Sequence, residues 1–345
     1  MLFALTYQEW LSFDLSTSVD PKTYWGLAHF EFDQSVVRKY RVIIPFLVRG
    51  LYWVVSSCAQ LFRPGALQGD FMMKTCFYVI NLLSSAAWCT LAYAYVRAMK
   101  RSKAASLVVI MMIVTSFWTI FNTYAFMTDS FYCCFVALTF LAITKQNHKM
   151  LFWAIMIGPF AKEAYLFLLP VIFFYSNVPK LRQLLWFAIS GALVFSFRYV
   201  FDHTTEHVWP TLQQVPISLF GWHSTISIST SLYADLEHFT YIDNLIHRFE
   251  DQNYTNPLIA LIGFWLLIPL GGLLLLKGFA KYLGKSLKQY MLLWFLLVFL
   301  QMIISGDFSR MLYLYLPVYG FIVATAIDYW RMYYNKTFDI RENAG

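Results

Sequence analysis

The sequence predicts an all-α protein: a polytopic transmembrane helix bundle of about eight to ten membrane helices, with a long external loop and an N-terminal surface helix. Three observations predict this class, namely the composition, the lengths of the apolar runs and the distribution of basic residues between loops. Of the 345 residues, 59% are hydrophobic and only 13% are charged, whereas a soluble domain carries about 25% charged residues. No stretch is left for a soluble domain that could bind nucleic acid.

Seven apolar runs are close to the length that crosses a bilayer core, roughly 17–25 residues. The runs lie at 75–96, 105–127, 131–144, 184–200, 257–276, 289–305 and 311–330. Two further segments are irregular: residues 42–61 are apolar but contain Pro45 and Arg49, and residues 150–176 are too long for one simple span. We interpret residues 1–345 as a single transmembrane domain.

Lysine and arginine are concentrated in alternate loops between these runs. Fifteen of the 26 basic residues lie in the stretches 97–103, 145–149, 180–182, 277–288 and 331–341. The opposite loops, 128–130, 201–256 and 305–310, contain only Arg248 and Arg310. Because basic loops stay on the cytoplasmic side of a membrane, the long loop 201–256 is predicted to be external.

Lys162 and Glu163 interrupt the apolar segment 150–176. A charge at the centre of a membrane helix costs about 2.5–3.5 kcal/mol, so two adjacent charges indicate a special position. Both flanks of the segment are basic and thus cytoplasmic, which predicts two short helices that run out and back and meet at an external turn, Pro159 to Glu163. Such a hairpin requires protein or a water-filled cavity around its backbone. We expect the two charges to face an external cavity; the alternative is an ion pair that caps a kink.

Two other predicted external turns also carry charges. The sequence MTDSFY places Asp129 between the second and third clear runs, and SGDFSR places Asp307 and Arg310 before the last run. Asp307 and Arg310 are three residues apart, which puts them on one face at the start of a helix; a helix cap with an internal salt bridge is the alternative interpretation. Together the charged turns predict one polar vestibule on the external face.

The loop 201–256 and the cysteines show no metal-binding pattern. The loop contains five of the seven histidines, but HTTEH at 203–207 lacks the HExxH order of a zinc protease. The five cysteines show no CxxC or Cys/His spacing, so no metal ligand is predicted. Within residues 234–251, apolar side chains recur at helical spacing, which predicts an amphipathic helix on the membrane surface or over a substrate groove.

Three short segments, at the start, middle and end of the chain, carry a family resemblance. In the first, Asp20 precedes TYWGLA, Asp33 follows, and RKYR stands before VIIP. This resembles the D-x-x-x-Y-x-x-(I/L)-A … R-(Y/F)-R-(I/V/L)-L-x-P pattern of bacterial polytopic glycosyltransferases of the GT-C superfamily. AKEAYLFLLP at 161–170 is similar to their K-E-(T/A)-x-x-(L/F)-x-x-P segment, and GDFSRMLYLYLP at 306–317 to their D-x-(S/T)-R-(M/V)-x-x-x-x-x-P segment.

The resemblance implies a multi-pass enzyme of the bacterial inner membrane that moves a sugar from a polyprenyl-phosphate donor to an external glycan or lipid acceptor, in one inverting displacement. By position it implies that Asp20, with Asp33 as second choice, is the catalytic carboxylate that accepts the proton of the acceptor hydroxyl. The lipid-phosphate leaving group needs cations or a metal ion, and the resemblance leaves a divalent metal cofactor open. The predicted substrate-binding residues are Arg41, Asp129, Lys162, Glu163, Asp307 and Arg310.

The N-terminal region 1–70 departs from the family because residues 1–15 are too short for a complete first span. If residues 42–61 cross the bilayer, Asp20 and Asp33 lie in the cytoplasm; if residues 42–61 lie along the external surface, both acids are external, and we predict the second arrangement.

Two alternative functions remain open. An O-antigen polymerase or ligase would use the histidines of the loop 201–256. A lipid or solute transporter would line its path with intramembrane charges such as Lys162, Glu163, Arg49 and Arg198.

Overall fold

The computed structural model describes most of the chain. The described residues are 1–14, 19–32, 40–62, 69–205, 212–219, 222–229, 278–305 and 308–342. This part of the chain is helical, as predicted, apart from one pair of antiparallel strands. The strands, β1 (Leu212–Leu219) and β2 (Trp222–Ser229), lie inside the predicted external loop, with Leu212 opposite Ser229 and Leu219 opposite Trp222.

Three helices, long and apolar enough to cross a membrane, occur among the described residues. They are α3 (Ile43–Phe62), α4 (Asp70–Ala98) and α10 (Lys180–Thr205). The number becomes five if each of two bent helix pairs is one span. These helices support a membrane protein. The total of eight to ten stays a prediction, since the run 257–276 lies outside the described residues.

The predicted run 105–127 forms one of the bent pairs. It consists of α5 (Lys103–Val114) and α6 (Phe117–Tyr124), which meet at 55°. Ser116 caps α6 at this break, because its side chain accepts a hydrogen bond from the backbone N–H of Thr119. The other bent pair, α11 (Phe279–Ser286) and α12 (Gln289–Ser305), meets at 92°.

The main core forms where α4 packs against α7 (Asp129–Lys145), which in turn packs against α8 (His148–Ala161). Small hydroxyl residues allow α4 and α7 to approach closely: Ser85 and Ser130 share a 2.8 Å hydrogen bond, and Thr123 of α6 donates to Ser85 at 2.7 Å. Hydrogen bonds of this kind hold apolar helices together where lipid supplies no hydrophobic driving force. The C-terminal helices α13 (Phe308–Tyr313) and α14 (Leu316–Glu342) complete this core.

A second core places the N-terminal segment against the first half of α4. The helices α1 (Leu2–Ser12) and α2 (Val19–Ala28) contribute the buried residues Trp10, Tyr24 and Leu27, which share this cluster with buried residues of α3 and α4. The stretch predicted as a surface helix forms α3, one of the three long apolar helices. Its position relative to the membrane stays a prediction. Asp20 and Arg41 stand in sequence between members of this cluster, so its packing positions both of them against the main bundle.

The interruption predicted at Lys162 and Glu163 is confirmed. The helix α8 contains Pro159 and ends at Ala161, Lys162 is extended (φ −165°, ψ 137°), and a short 3-10 helix, Glu163–Leu168, leads into α9 (Leu169–Tyr175). A proline inside a helix removes a backbone hydrogen bond and promotes such a break. The two charged residues therefore lie between two short helical arms.

Gly158 permits this break to fold back onto the bundle, and its replacement by alanine is a test. A Cβ at position 158 would lie 2.5 Å from the ring of Tyr165, whose hydroxyl is tied to Thr139 at 2.8 Å. We expect Gly158→Ala to lower the free energy of unfolding by roughly 1–3 kcal/mol, as overpacking does. Unfolding in detergent with increasing denaturant measures it. Gly50→Ala, where no atom lies within 4 Å, is the control; an equal loss in both variants would contradict the packing argument.

Candidate functional site

Six ionisable side chains form a buried cluster, which we call the charge cluster. They come from α2, the segment before α3, the start of α7, the break after α8, and α13. The members are Asp20, Arg41, Asp129, Lys162, Glu163 and Arg310. All six were predicted from the sequence as catalytic or substrate-binding residues, and the structure brings them together.

Asp129 is the hub of one half of the charge cluster. Its Oδ1 accepts a 2.7 Å hydrogen bond from Lys162 Nζ, and its Oδ2 accepts one from Arg310 Nη2. Arg310 also donates from Nη1 to Asp20 Oδ2 at 3.0 Å. The arrangement explains why an acid stands at the start of α7: its carboxylate joins the break after α8 to α13. Arg310 in turn joins α13 to α2 through Asp20.

Arg41 and Glu163 form the other half. Arg41 Nε donates to Glu163 Oε2 at 3.0 Å, and Arg41 Nη2 donates to Glu163 Oε1. The third nitrogen, Nη1, donates to the hydroxyl of Tyr24 at 3.0 Å. Paired bonds of this type fix both the distance and the plane of the two groups. Arg41 thus connects the N-terminal segment to the break after α8.

The charge cluster is balanced, with three cations and three carboxylates, and its residues are buried apart from partly exposed Arg310. Burial alone would raise the pKa of Asp129, but the positive charges of Arg310 and Lys162 hold that pKa well below its ordinary value. Burial would likewise lower the pKa of Arg41, whereas the Glu163 carboxylate raises it above the usual range. Both groups therefore remain charged at neutral pH, as ion pairing of buried groups requires.

Two buried hydroxyls beside Asp129 were not predicted. Thr128 Oγ1 and Tyr132 Oη are buried and have no hydrogen-bond partner among the described residues, and Lys162 Nζ lies 5.8 Å from the centre of the Tyr132 ring. Buried polar groups normally find a partner in protein or water. The two hydroxyls can therefore hydrogen-bond to an acceptor substrate or to a water molecule at this position. The one feature of the sequence that points to them is that both lie within three residues of Asp129, in MTDSFY.

A cavity of about 190 Å³ adjoins the charge cluster. It lies between the 3-10 helix, α9 and α10. A smaller pocket, which Arg41 lines, shares part of its wall. Glu163 and Arg198 face both spaces, while most of the remaining lining is apolar. Both Lys162 and Glu163 were expected to face a cavity; Glu163 does, whereas Lys162 lines neither space and contacts Asp129 instead. The external position of the cavity stays a prediction.

Arg198 has aromatic and charged neighbours that the sequence did not reveal. Its guanidinium lies over the Tyr40 ring, 4.9 Å from the ring centre. The Tyr40 hydroxyl donates to the carboxylate of Asp202, at 2.8 and 3.0 Å from the two oxygens. Arg198 and Asp202 are four residues apart on α10, the spacing at which side chains of one helix face are neighbours.

The remaining predicted residues are distributed differently. Asp33 and Asp307 lie outside the described residues, as do three of the five histidines of the loop 201–256, His207, His238 and His247. Arg49, a residue of the transporter alternative, packs over the rings of Phe30 and Tyr52 at 5.1 and 5.3 Å. Within the described part of the chain, no group of three or more His, Cys, Asp or Glu side chains could hold a metal ion.

Comparisons with known proteins identify no family for this chain. No protein-family model matches this chain, and no curated protein or solved structure is significantly similar to it. The resemblance of the three short motifs to GT-C glycosyltransferases therefore stays a prediction.

Proposed function

We propose that this chain is a polytopic membrane glycosyltransferase of GT-C type, which transfers a sugar from a polyprenyl-phosphate donor to an external glycan or lipid acceptor. The observation that carries the proposal is the charge cluster. Its members come from the same three motifs that carry the resemblance, together with Asp129, and they meet in one buried network beside a cavity. A chain that needed only stability would gain as much from apolar residues at these positions.

The cluster contains the groups that the reaction requires. Transfer forms a bond between an acceptor oxygen and the anomeric carbon, breaks the bond from that carbon to the phosphate oxygen, and moves the acceptor proton to a carboxylate. Asp20 is the proposed base. The cations Arg41, Lys162 and Arg310 are available to stabilise the negative charge that develops on the leaving phosphate.

The alternatives have less support from the described residues. A polymerase or ligase that uses the loop 201–256 would act largely through residues outside the described part of the chain. A transporter would line its path with charges such as Lys162 and Arg49, but Lys162 lines neither of the two spaces described above, and Arg49 packs over aromatic rings.

Release of the lipid phosphate tests the function without knowledge of the acceptor. The purified chain in liposomes, supplied with polyprenyl-phosphate sugars and a membrane extract as acceptor, should convert donor to free polyprenyl phosphate. We expect release with at least one sugar, and loss of that release in the Lys162→Met variant. Absence of release with every donor sugar, from protein that is folded, would overturn the proposal.

The position of α2 relative to the membrane gives a second test. Lys22 is exposed on α2 near buried Asp20, so a cysteine at position 22 reports the side on which Asp20 lies. In a chain without Cys58, the exposed native cysteine, we expect Lys22→Cys to react in intact cells with a membrane-impermeant thiol reagent. Lys100→Cys, exposed in a predicted cytoplasmic loop, should react only after the cells are opened. Protection of position 22 would place Asp20 in the cytoplasm and remove it as the base of an external reaction.

A further inference from the structure

The cavity beside the charge cluster has an apolar wall and a polar end. Leu166, Leu169, Phe187, Val194 and Phe195 form most of the wall. At the polar end, Glu163 and Arg198 line the cavity, and Arg41 lines the adjoining smaller pocket. An occupant that satisfies both parts must be amphiphilic.

The apolar part is open toward the outer surface of the bundle. Two of its lining residues, Leu166 and Phe195, are 47% and 45% exposed, and α10, which carries Phe195, is long and apolar enough to cross a membrane. A volume of about 190 Å³ is smaller than the roughly 300–1,000 Å³ of a pocket that encloses a drug-sized ligand. The cavity can therefore receive one segment of a longer chain whose remainder lies against the lipid-facing surface.

The polar end favours an anion. Arg198 and Arg41 are buried, at 4% and 6% exposure, and a guanidinium binds phosphate with the same paired geometry that Arg41 already shows toward the Glu163 carboxylate. Among the described residues that line the two spaces, Glu163 is the only acid. Asp202 neighbours Arg198 on α10 but lines neither space, so two arginines and one carboxylate face the ligand.

We propose that this cavity binds the apolar chain of an isoprenoid phosphate, with the phosphate placed at Arg198 and Arg41. The inference rests on the proposed function for the identity of the ligand, and it adds the location: the chain lies between the 3-10 helix, α9 and α10. A phosphate in this position would take the place of the Glu163 carboxylate on Arg41. The ion pair with Glu163 already holds the Arg41 guanidinium in the orientation that paired bonds to a phosphate require.

Binding of three probes to the purified full-length chain in nanodiscs tests the location. The probes are farnesyl phosphate, farnesol and inorganic phosphate, which separate the amphiphile from its chain and from its head group. We expect farnesyl phosphate to bind at least tenfold more tightly than either of the others. Equal affinity for farnesol would overturn the role of the arginines, and equal affinity for inorganic phosphate would overturn the role of the apolar wall.

Two glycine variants provide a matched comparison. Gly191 lines the cavity and Gly50 does not; both are exposed and helical, and at both positions a Cβ atom would meet no neighbour within 4 Å. We expect Gly191→Phe, which fills the cavity, to weaken farnesyl phosphate binding by tenfold or more and Gly50→Phe to leave it unchanged. Unchanged binding by Gly191→Phe would overturn the proposal.

The Arg198→Gln variant separates the head group from the chain. We expect it to weaken binding of farnesyl phosphate and to leave farnesol unaffected; equal weakening of both would contradict a phosphate contact. Because these measurements need no sugar transfer, binding with these properties in the absence of any transferase activity would support this site while overturning the proposed function.

Discussion

Replacement of Asp129 by asparagine is expected to lower the free energy of unfolding by about 3–5 kcal/mol, the usual cost of removing one partner from a buried ion pair. Asp129 is buried and holds both Lys162 and Arg310. Loss of its charge leaves the buried ammonium of Lys162 close to the partly exposed guanidinium of Arg310, which keeps its contact with Asp20. Unfolding of the purified variant in detergent with increasing denaturant measures the loss.

An exposed acid provides the control for this prediction. Asp70 lies in the first turn of α4 and is exposed, so we expect Asp70→Asn to cost less than about 1 kcal/mol, as for other surface charges. Removing the charge of Lys162 as well should reduce the loss of stability. The Asp129→Asn and Lys162→Met double variant is therefore expected to lose less stability than the sum of the two single variants. Additive losses would show that Asp129 and Lys162 do not depend on each other, contrary to their 2.7 Å contact.

Four of the six members of the charge cluster could be predicted from the positions of charges, because charges in a chain this apolar are costly unless they are paired or lie outside the hydrocarbon. Asp20 and Arg41 were predicted from the resemblance and the chemistry it implies. Asp129, Lys162, Glu163 and Arg310 each stand in a short turn between apolar runs. Alternation of basic and non-basic loops assigned these turns to the same face. Their meeting in one network is therefore a consequence of topology and charge.

The pairing within the charge cluster could not be predicted. Lys162 and Glu163 are neighbours in sequence, which suggested an ion pair between them, yet Lys162 contacts Asp129 and Glu163 contacts Arg41. Lys162 has an extended backbone, and successive side chains of an extended chain point to opposite sides. The break after α8 thus directs one charge to α7 and the other to the N-terminal segment.

Contacts between residues that are far apart in sequence could not be predicted for a related reason. Tyr40 and Asp202 are 162 positions apart and meet only because α10 packs near the segment that precedes α3. The bend between α5 and α6 was also missed, since the run 105–127 contains no proline, glycine or charged residue, and the capping serine at 116 is one of several hydroxyl residues in it. Local chemistry predicts such features poorly when tertiary packing decides which cap or contact forms.

The second large effect concerns the proposed base. We expect Asp20→Asn to reduce kcat for sugar transfer by about 10²–10⁴, the contribution of a general base, with little change in KM for the donor. Asparagine can still accept the hydrogen bond from Arg310 Nη1, which lies 3.0 Å from Asp20 Oδ2, so the geometry is preserved while the proton acceptor is lost. Release of polyprenyl phosphate under saturating donor measures kcat.

A purely structural role for Asp20 predicts a different result. If Asp20 only holds Arg310, the asparagine variant should keep the wild-type dependence of rate on pH; if Asp20 is the base, the fall in rate toward acid pH should disappear in Asp20→Asn and return in Asp20→Glu. Glu9→Gln, an exposed acid on α1, is the control and should leave kcat unchanged. A variant series in which Asp20→Asn stays active while Glu163→Gln does not would assign the proton transfer to Glu163. Glu163 is the carboxylate that lines the cavity, so the reaction would then take place at the Arg41 side of the charge cluster.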